Sequence, residues 1–327
     1  MSQMRETASI PESTPRARVL LFGLYDLGLR ALEGMEARKR EVVGIVTKAE
    51  PTLEAQPFVR LARATGRPVF APESMRDPEF LRRIRRLAPD FIAVAGFHKI
   101  LPRDLLHLPS RGVLNLHGSL LPQYRGPCPW KWAIMNGEKT IGATVLRMTE
   151  DVDRGDILAQ QEVAIDPRDT SESLFHKICA VGGPLLARTV EDVEAGRVDP
   201  RVQDQRRASY YGVPTDEDCR IRWEWSAERI GNRVRGLCPR PGAWTQYGGK
   251  RVRIRKAEPA EGPLGPVPGM ILGRSADSLI VSTGRGNVSI GALSIEGEEA
   301  YSLWAIGLVP GTFFDPSPVG EPHLKST

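Results

Sequence analysis

Short apolar runs, each ending at a glycine or a polar residue and followed by a helix-length stretch, punctuate the first half of this sequence. Arg18-Val19-Leu20-Leu21-Phe22-Gly23 is the first, and Val42–Val46, Pro68–Phe70, Phe91–Ala95, Val113–His117 and Ala143–Met148 repeat the pattern. Runs this short, without polar alternation, suit strands of a parallel sheet buried on both faces. Ile157–Ile165 alternates in part. Helices are expected from about Asp26 to Ala37, around Phe58–Ala64, from an Asp77 cap and Pro78 to near Leu87, and from Ser171 to Glu194. This βαβα order predicts an α/β, Rossmann-like, mostly parallel sheet with helices on both faces. In such folds ligands sit beyond the carboxyl ends of the strands. The first turn, Gly23-Leu24-Tyr25-Asp26-Leu27-Gly28, is not GxGxxG, which disfavours a dinucleotide.

The 327 residues exceed what one core usually accommodates. Composition divides them into a flexible leader (1–17), a first domain (18–196), an extended linker (197–215), a second domain (216–314) and a loose Pro-rich tail (315–327). In the second domain Ser226 caps a helix to about Leu237. Short runs then follow at Trp244–Tyr247, Val252–Ala257, Met270–Leu272, Leu279–Ser282 and Val288–Ile295. Strands so short, between Gly/Pro turns, predict a small β-barrel. No apolar run is long enough to span a membrane, and the first residues lack a secretory h-region. Four scattered cysteines without a CxxC pair suit a reducing, cytoplasmic setting. Between Cys219 and Lys256 eleven Lys/Arg face only Glu224 and Glu228, a stretch that is either a solvated face or a surface for phosphates.

The densest chemical signal is Asn115-Leu116-His117-Gly118-Ser119-Leu120-Leu121-Pro122-Gln123-Tyr124-Arg125-Gly126. Side chains two apart on a strand share a face, so Asn115 and His117 emerge together at a strand end where an α/β site belongs. Spacing alone leaves open a satisfied structural network. Cys128 suits packing better than nucleophilic duty. His98 and His107 read as loop or surface histidines, and Asp151 and Asp156 as turn residues. No His/Cys/Asp cluster has metal-ligand spacing.

The Asn115–Gly126 stretch, followed by Asp151-Val152-Asp153-Arg154-Gly155-Asp156, resembles the folate-dependent formyltransferase family over about residues 18–313. That family includes methionyl-tRNA formyltransferases and enzymes acting on amino-sugar nucleotides. The resemblance implies an OB-like C-terminal barrel, 10-formyltetrahydrofolate as formyl donor, no metal, and Asn115, His117 and Asp153 as catalytic residues. It also implies that the donor lies against Phe97, Ile100 and Leu101, against Ser119, Leu120, Leu121 and Pro122, and against Thr149, Glu150, Asp151 and Val152. Amine attack on the formyl carbon makes an oxyanion, and a carboxamide donor such as Asn115 is worth ~3 kcal/mol there. A histidine, with an ordinary pKa of about 6.5, can shuttle the proton from the amine to the leaving nitrogen, a contribution of roughly 10²–10⁴-fold. Asp153 in contact would steady the imidazolium.

The acceptor is less legible. Methionyl-tRNA formyltransferases usually carry a Gly-, Lys- and Arg-rich insertion after the second strand. The matching stretch here, residues 48–57, holds one lysine and two glutamates. The turn at Phe22–Gly28 looks more like the amino-arabinose type, but Pro127 stands where those relatives have arginine. A small or carrier-held amine is therefore expected, such as an amino-sugar nucleotide, an ornithine-type side chain or a peptide-antibiotic precursor. Initiator tRNA, kept alive by the basic barrel, is the alternative. Hydrolysis of the donor and a non-catalytic binding module are weaker readings. Leu24, Tyr25 and Trp130 are expected to wall the acceptor pocket; membrane contact is not expected, and a homodimer is left open.

Overall fold

The computed structural model describes residues 16–49, 56–275, 277–295 and 308–315. Two sheets organise them, one on each side of the segment 197–215. The first contains β1 (Arg18–Gly23), β2 (Glu41–Val46), β3 (Val69–Phe70), β4 (Phe91–Ala95), β5 (Val113–His117), β6 (Thr140–Arg147) and β7 (Ile157–Ala164), in the order β3-β2-β1-β4-β5-β6-β7. From β3 to β5 every pairing is parallel, whereas β6 and β7 are antiparallel. The helices are α1 (Tyr25–Ala37), α2 (Pro57–Ala64), α3 (Pro78–Arg86), α4 (Arg103–Leu106), α5 (Pro129–Met135) and α6 (Ser171–Glu194).

The period-two geometry of each strand sorts its residues between two cores. Val19, Leu21, Phe91, Ala93, Ala95, Leu114 and Leu116 pack with α1, α2 and α6 on one face. Leu20, Phe22, Ile92, Val94 and Val113 pack with α3 and α4 on the other. Four neighbours of β1, Val19 to Phe22, are fully buried, each contributing roughly 1.5–3 kcal/mol. Helix starts follow the sequence signals: the Asp77 carboxylate accepts from the Glu79 N–H at 3.0 Å, and Thr170 and Ser173 form a reciprocal cap on α6.

The second unit holds α7 (Asp216–Cys219), α8 (Ala227–Leu237), β8 (Ala243–Tyr247), β9 (Lys250–Ala260), β10 (Ile271–Arg274), β11 (Leu279–Ser282) and β12 (Asn287–Ile295). Its five strands form an antiparallel sheet in the order β10-β11-β12-β9-β8. Residues 311–315 bridge its two edges: Ile271 N–H donates to Thr312 O at 2.9 Å, and Asp315 N–H donates to Gln246 O at 2.8 Å. α8 packs against α5, and Met135 of α5 joins the second core. Ser171 Oγ also donates to Cys238 O at 2.6 Å, and Arg235 Nη1 to Asp169 O at 3.0 Å.

Residues 197–215 are strapped to the first sheet rather than spanning free. Arg201 exchanges backbone hydrogen bonds with Ile157, and Tyr210 forms a parallel bridge with Arg125. The expected leader, apart from Arg16 and Ala17, lies outside the described residues, as do the tail after Asp315 and residues 50–55 of the stretch compared with the tRNA-enzyme insertion.

Phe314 is 2% exposed, stacked on Trp223 at 4.9 Å and edge-on to Tyr247, so it anchors the edge-bridging segment. Phe314→Ala is expected to destabilise the chain by about 3–5 kcal/mol. Urea unfolding followed by tryptophan fluorescence checks this, and an unchanged midpoint would remove the anchor role.

Candidate active site

β5 presents Asn115 and His117 on one face, opposite Leu146 and Thr144 of β6. The His117 ring is nearly buried and its two nitrogens meet different partners. Nε2 lies 2.8 Å from the Tyr124 carbonyl oxygen, which can only accept, so Nε2 carries a hydrogen. Nδ1 faces Asp153, with 3.6 Å to Oδ2, and is therefore the nitrogen at which a proton can be gained or lost. Asn115 is half-buried, and among the described residues its carboxamide makes no hydrogen bond. Its two N–H groups are left without a partner among the described residues.

The loop after β5 is fixed by β6, β7 and the strap. Ser119 Oγ donates to Gln123 O at 2.7 Å, Thr144 Oγ1 donates to Ser119 O at 2.6 Å, and Gln160 Nε2 donates to both Leu121 O and Thr144 Oγ1 at 2.9 Å. Tyr124 is held hardest. Its N–H donates to Ser209 Oγ at 2.9 Å, its ring stacks on Tyr211 at 5.0 Å, and its hydroxyl donates to Glu138 at 2.6 Å. Burial, then the Glu138 bond, pushes the Tyr124 pKa well above that of a free phenol. The carbonyl that receives His117 is thus rigid.

Asp153 arrives on the loop between β6 and β7, which crosses from Met148, bonded to Val113 O, to the His117 end of β5. Its φ of 55° is left-handed, a conformation that aspartate tolerates better than most residues. Its Oδ2 accepts the Gly126 N–H at 2.9 Å, a charge-assisted bond. Two residues on, Gly155 passes so close to β6 that a Cβ would lie 1.7 Å from Arg147 O, so the turn behind Asp153 admits only glycine.

The remaining positions sort by exposure. Phe97 is half-buried, edge-on to Phe22 at 5.3 Å; Ile100 is 77% exposed, and Leu101 is buried. Ser119 and Leu121 turn inward and shape the loop through their packing and backbone, leaving Leu120 and Pro122 half-buried. Thr149, Glu150, Asp151 and Val152 are exposed, with Thr149 Oγ1 on Asp151 O and Glu150 paired to Arg103. Of the expected acceptor wall, Leu24 is buried at 3%, because its position before α1 points it into the protein, and Tyr25 is the exposed member of that turn. Trp130 is half-buried, packed on Phe175 at 4.5 Å and behind Gly118. It lines a cleft of about 670 Å³ with Lys131, Glu172, Arg240, Arg253 and Arg255. His98 and His107 are exposed. Among the described residues no group of three His, Cys, Asp or Glu gathers to hold a metal.

Tyr124, Arg125 and Gln203 complete the site without having been singled out from sequence. The YRG triplet is visible, but a backbone carbonyl acceptor and a buried glutamine in a polar segment leave no periodic signal. Burial pushes the thiols up: Cys179 to about 12, Cys219 to about 11, and Cys128 upward despite Lys131. A higher pKa leaves less thiolate, so at pH 8 iodoacetamide is expected to label these three slowly in the folded chain and fully in urea. Mass spectrometry of digests checks this; fast labelling of folded Cys128 would reinstate it as a nucleophile.

The family described as formyl transferase matches residues 33–190, and the formyl transferase C-terminal domain matches residues 214–307. A methionyl-tRNA formyltransferase of Caldanaerobacter subterraneus is 36% identical over 293 residues, covering 88% of this chain and 94% of that protein. An N-formyltransferase from Helicobacter canadensis, solved with folinic acid and dTDP-3-aminofucose, shares the fold with a TM-score of 0.67 at 15% identity, over 84% of this chain and 98% of that one. HypX from Aquifex aeolicus, solved with tetrahydrofolic acid, gives 0.62 at 23% identity over 90% of this chain; this chain spans about half of HypX, 47%. With both domains matched and a relative 36% identical over most of both chains, the chain belongs to the folate-dependent formyltransferase family.

Proposed function

We propose that this chain transfers the formyl group of 10-formyltetrahydrofolate to the amino group of methionyl-tRNA. The observation that carries the acceptor is the basic cleft beside the catalytic strand end, where Trp130 backs Gly118 and Lys131, Arg240, Arg253 and Arg255 face it from both sheets' sides. Cations converging on one cleft suit a phosphate-bearing acceptor. The 36% identity with a methionyl-tRNA formyltransferase over most of both chains supports the same acceptor.

In this reading Asn115 donates a side-chain N–H to the formyl oxygen as charge builds there, worth ~3 kcal/mol. His117 takes a proton at Nδ1 from the attacking amine and returns it to the folate nitrogen as the old carbon–nitrogen bond breaks. Nε2 stays bonded to Tyr124 O, so the ring keeps its orientation through the cycle. Asp153 faces Nδ1 and favours the transient imidazolium. One carbon–nitrogen bond forms, one breaks, and a single proton changes nitrogen.

A second reading is favoured by residues 48–57, whose two glutamates and one lysine grip phosphate poorly: a small or carrier-held amine as acceptor. Assays of purified protein with 10-formyltetrahydrofolate separate the two. Rapid formylation of methionyl-initiator tRNA is expected. Formylation of amino-sugar nucleotides or ornithine-type amines with tRNA left untouched would transfer the assignment to the second reading, and fast tetrahydrofolate release without amine would mark a hydrolase. His117→Ala and Asp153→Ala are each expected to slow turnover roughly 10²–10⁴-fold while folate affinity, read by calorimetry, stays within a few-fold. Full turnover in either variant would remove that residue from the mechanism.

A further inference from the structure

Gln203 is 3% exposed in a segment whose neighbour Val202 is 82% exposed. All the hydrogen-bonding capacity of its side chain is committed. Nε2 donates to Asp153 O and to Gly155 O, both at 2.8 Å, while Oε1 accepts from Arg125 Nη2 at 2.6 Å and Nε at 3.2 Å. Arg125 is itself buried, with Nη1 donating to Gln205 Oε1 at 3.0 Å. The residue after Arg125, Gly126, supplies the N–H that holds the Asp153 carboxylate.

We infer that Gln203, outside the catalytic motifs, is a positioning residue that sets Asp153 against His117. Asp153 is gripped at both ends: the carboxylate by Gly126 and the carbonyl by Gln203, with Arg125 joining the two grips. A left-handed non-glycine residue persists only where its surroundings over-determine it, and these bonds supply that determination at Asp153. The segment between the two sheets therefore takes part in catalytic geometry. It continues through Ser209 and Tyr211: Tyr124 N–H donates to Ser209 Oγ, Arg125 N–H to Ser209 O and Tyr211 N–H to Arg125 O, so both partners of His117 are tied to it. The inference rests on the proposed role of Asp153.

Gln203→Glu tests it, because a carboxylate keeps the size and the acceptor for Arg125 but turns an oxygen toward two carbonyls. With the wild-type acceptor, kcat is expected to fall roughly 10- to 100-fold, as for small misplacements of catalytic groups, with KM values within about threefold. The double variant Gln203→Glu/Asp153→Asn is expected to be no slower than Asp153→Asn, since both act through one carboxylate. Gln203→Met, equally long but without donors, is expected to repeat the kcat loss should the glutamate variant fold poorly. Unchanged kcat in both Gln203 variants, or losses that multiply in the double variant, would overturn the inference. A slow Asp153→Asn beside a normal Gln203→Glu sinks the inference alone; a normal Asp153→Asn sinks the site reading and the inference together.

Discussion

The hydrogen bond from His117 Nε2 to the Tyr124 carbonyl decides which nitrogen of the ring is available for chemistry. Because a carbonyl cannot donate, the Nε2 proton is fixed and Nδ1 is left facing Asp153. Everything nearby serves to hold that carbonyl and that carboxylate. Tyr124 is tied by its N–H, its ring and its hydroxyl to Ser209, Tyr211 and Glu138, and Asp153 by its carboxylate and its carbonyl to Gly126 and Gln203. Each neutral bond of this kind adds only about 1 kcal/mol net, but a buried donor or acceptor left unpaired costs ~1–3 kcal/mol. The network is thus stable only when complete, which suits a site whose geometry must not drift.

Sheet topology explains how one strand gathers these partners. β5 is the last parallel strand; β6 runs back beside it and ends opposite Leu114, so the β6–β7 loop starts at the Val113 end of β5 and crosses to bring Asp153 to His117. α5 and the start of α6 then form the wall on which the second domain packs, through Met135, Ser171 and Lys131, whose Nζ donates to Arg240 O at 2.6 Å. The basic cleft lies at that junction. Trp130 lines that cleft and backs Gly118, the residue after His117, so in the proposed reading a phosphate held in the cleft and an amine held at the strand end can belong to one acceptor.

Much of this was legible in the sequence for simple reasons. β1, β4, β5 and α6 have the expected bounds, because an uninterrupted apolar run or a capped amphipathic one admits little else. The pairing of Asn115 with His117 followed from the two-residue strand repeat. Strand direction did not follow: Ala143–Met148 is as apolar as a parallel strand, and only the register with β5 reveals it as antiparallel. α4 and α7, of four residues each, are too short to carry periodicity. Asp153 was accessible only through resemblance, since its distance from His117 in sequence says nothing of contact. Gln203 and the Tyr124 carbonyl were not accessible at all; their roles depend on burial and backbone direction. The inward turn of Leu24 had the same cause, as the step from β1 into α1 decides which of Leu24 and Tyr25 meets solvent.

The placement of the formyl group relative to Asn115 and His117 bears most directly on this mechanism. A crystal structure with 5-formyltetrahydrofolate, a stable formyl-bearing analogue, would locate it. The formyl oxygen is expected within about 3 Å of the Asn115 carboxamide nitrogen, with His117 Nδ1 facing the same carbon and Asp153 behind it. A formyl group seated beyond reach of both Asn115 and His117 would contradict the proposed chemistry.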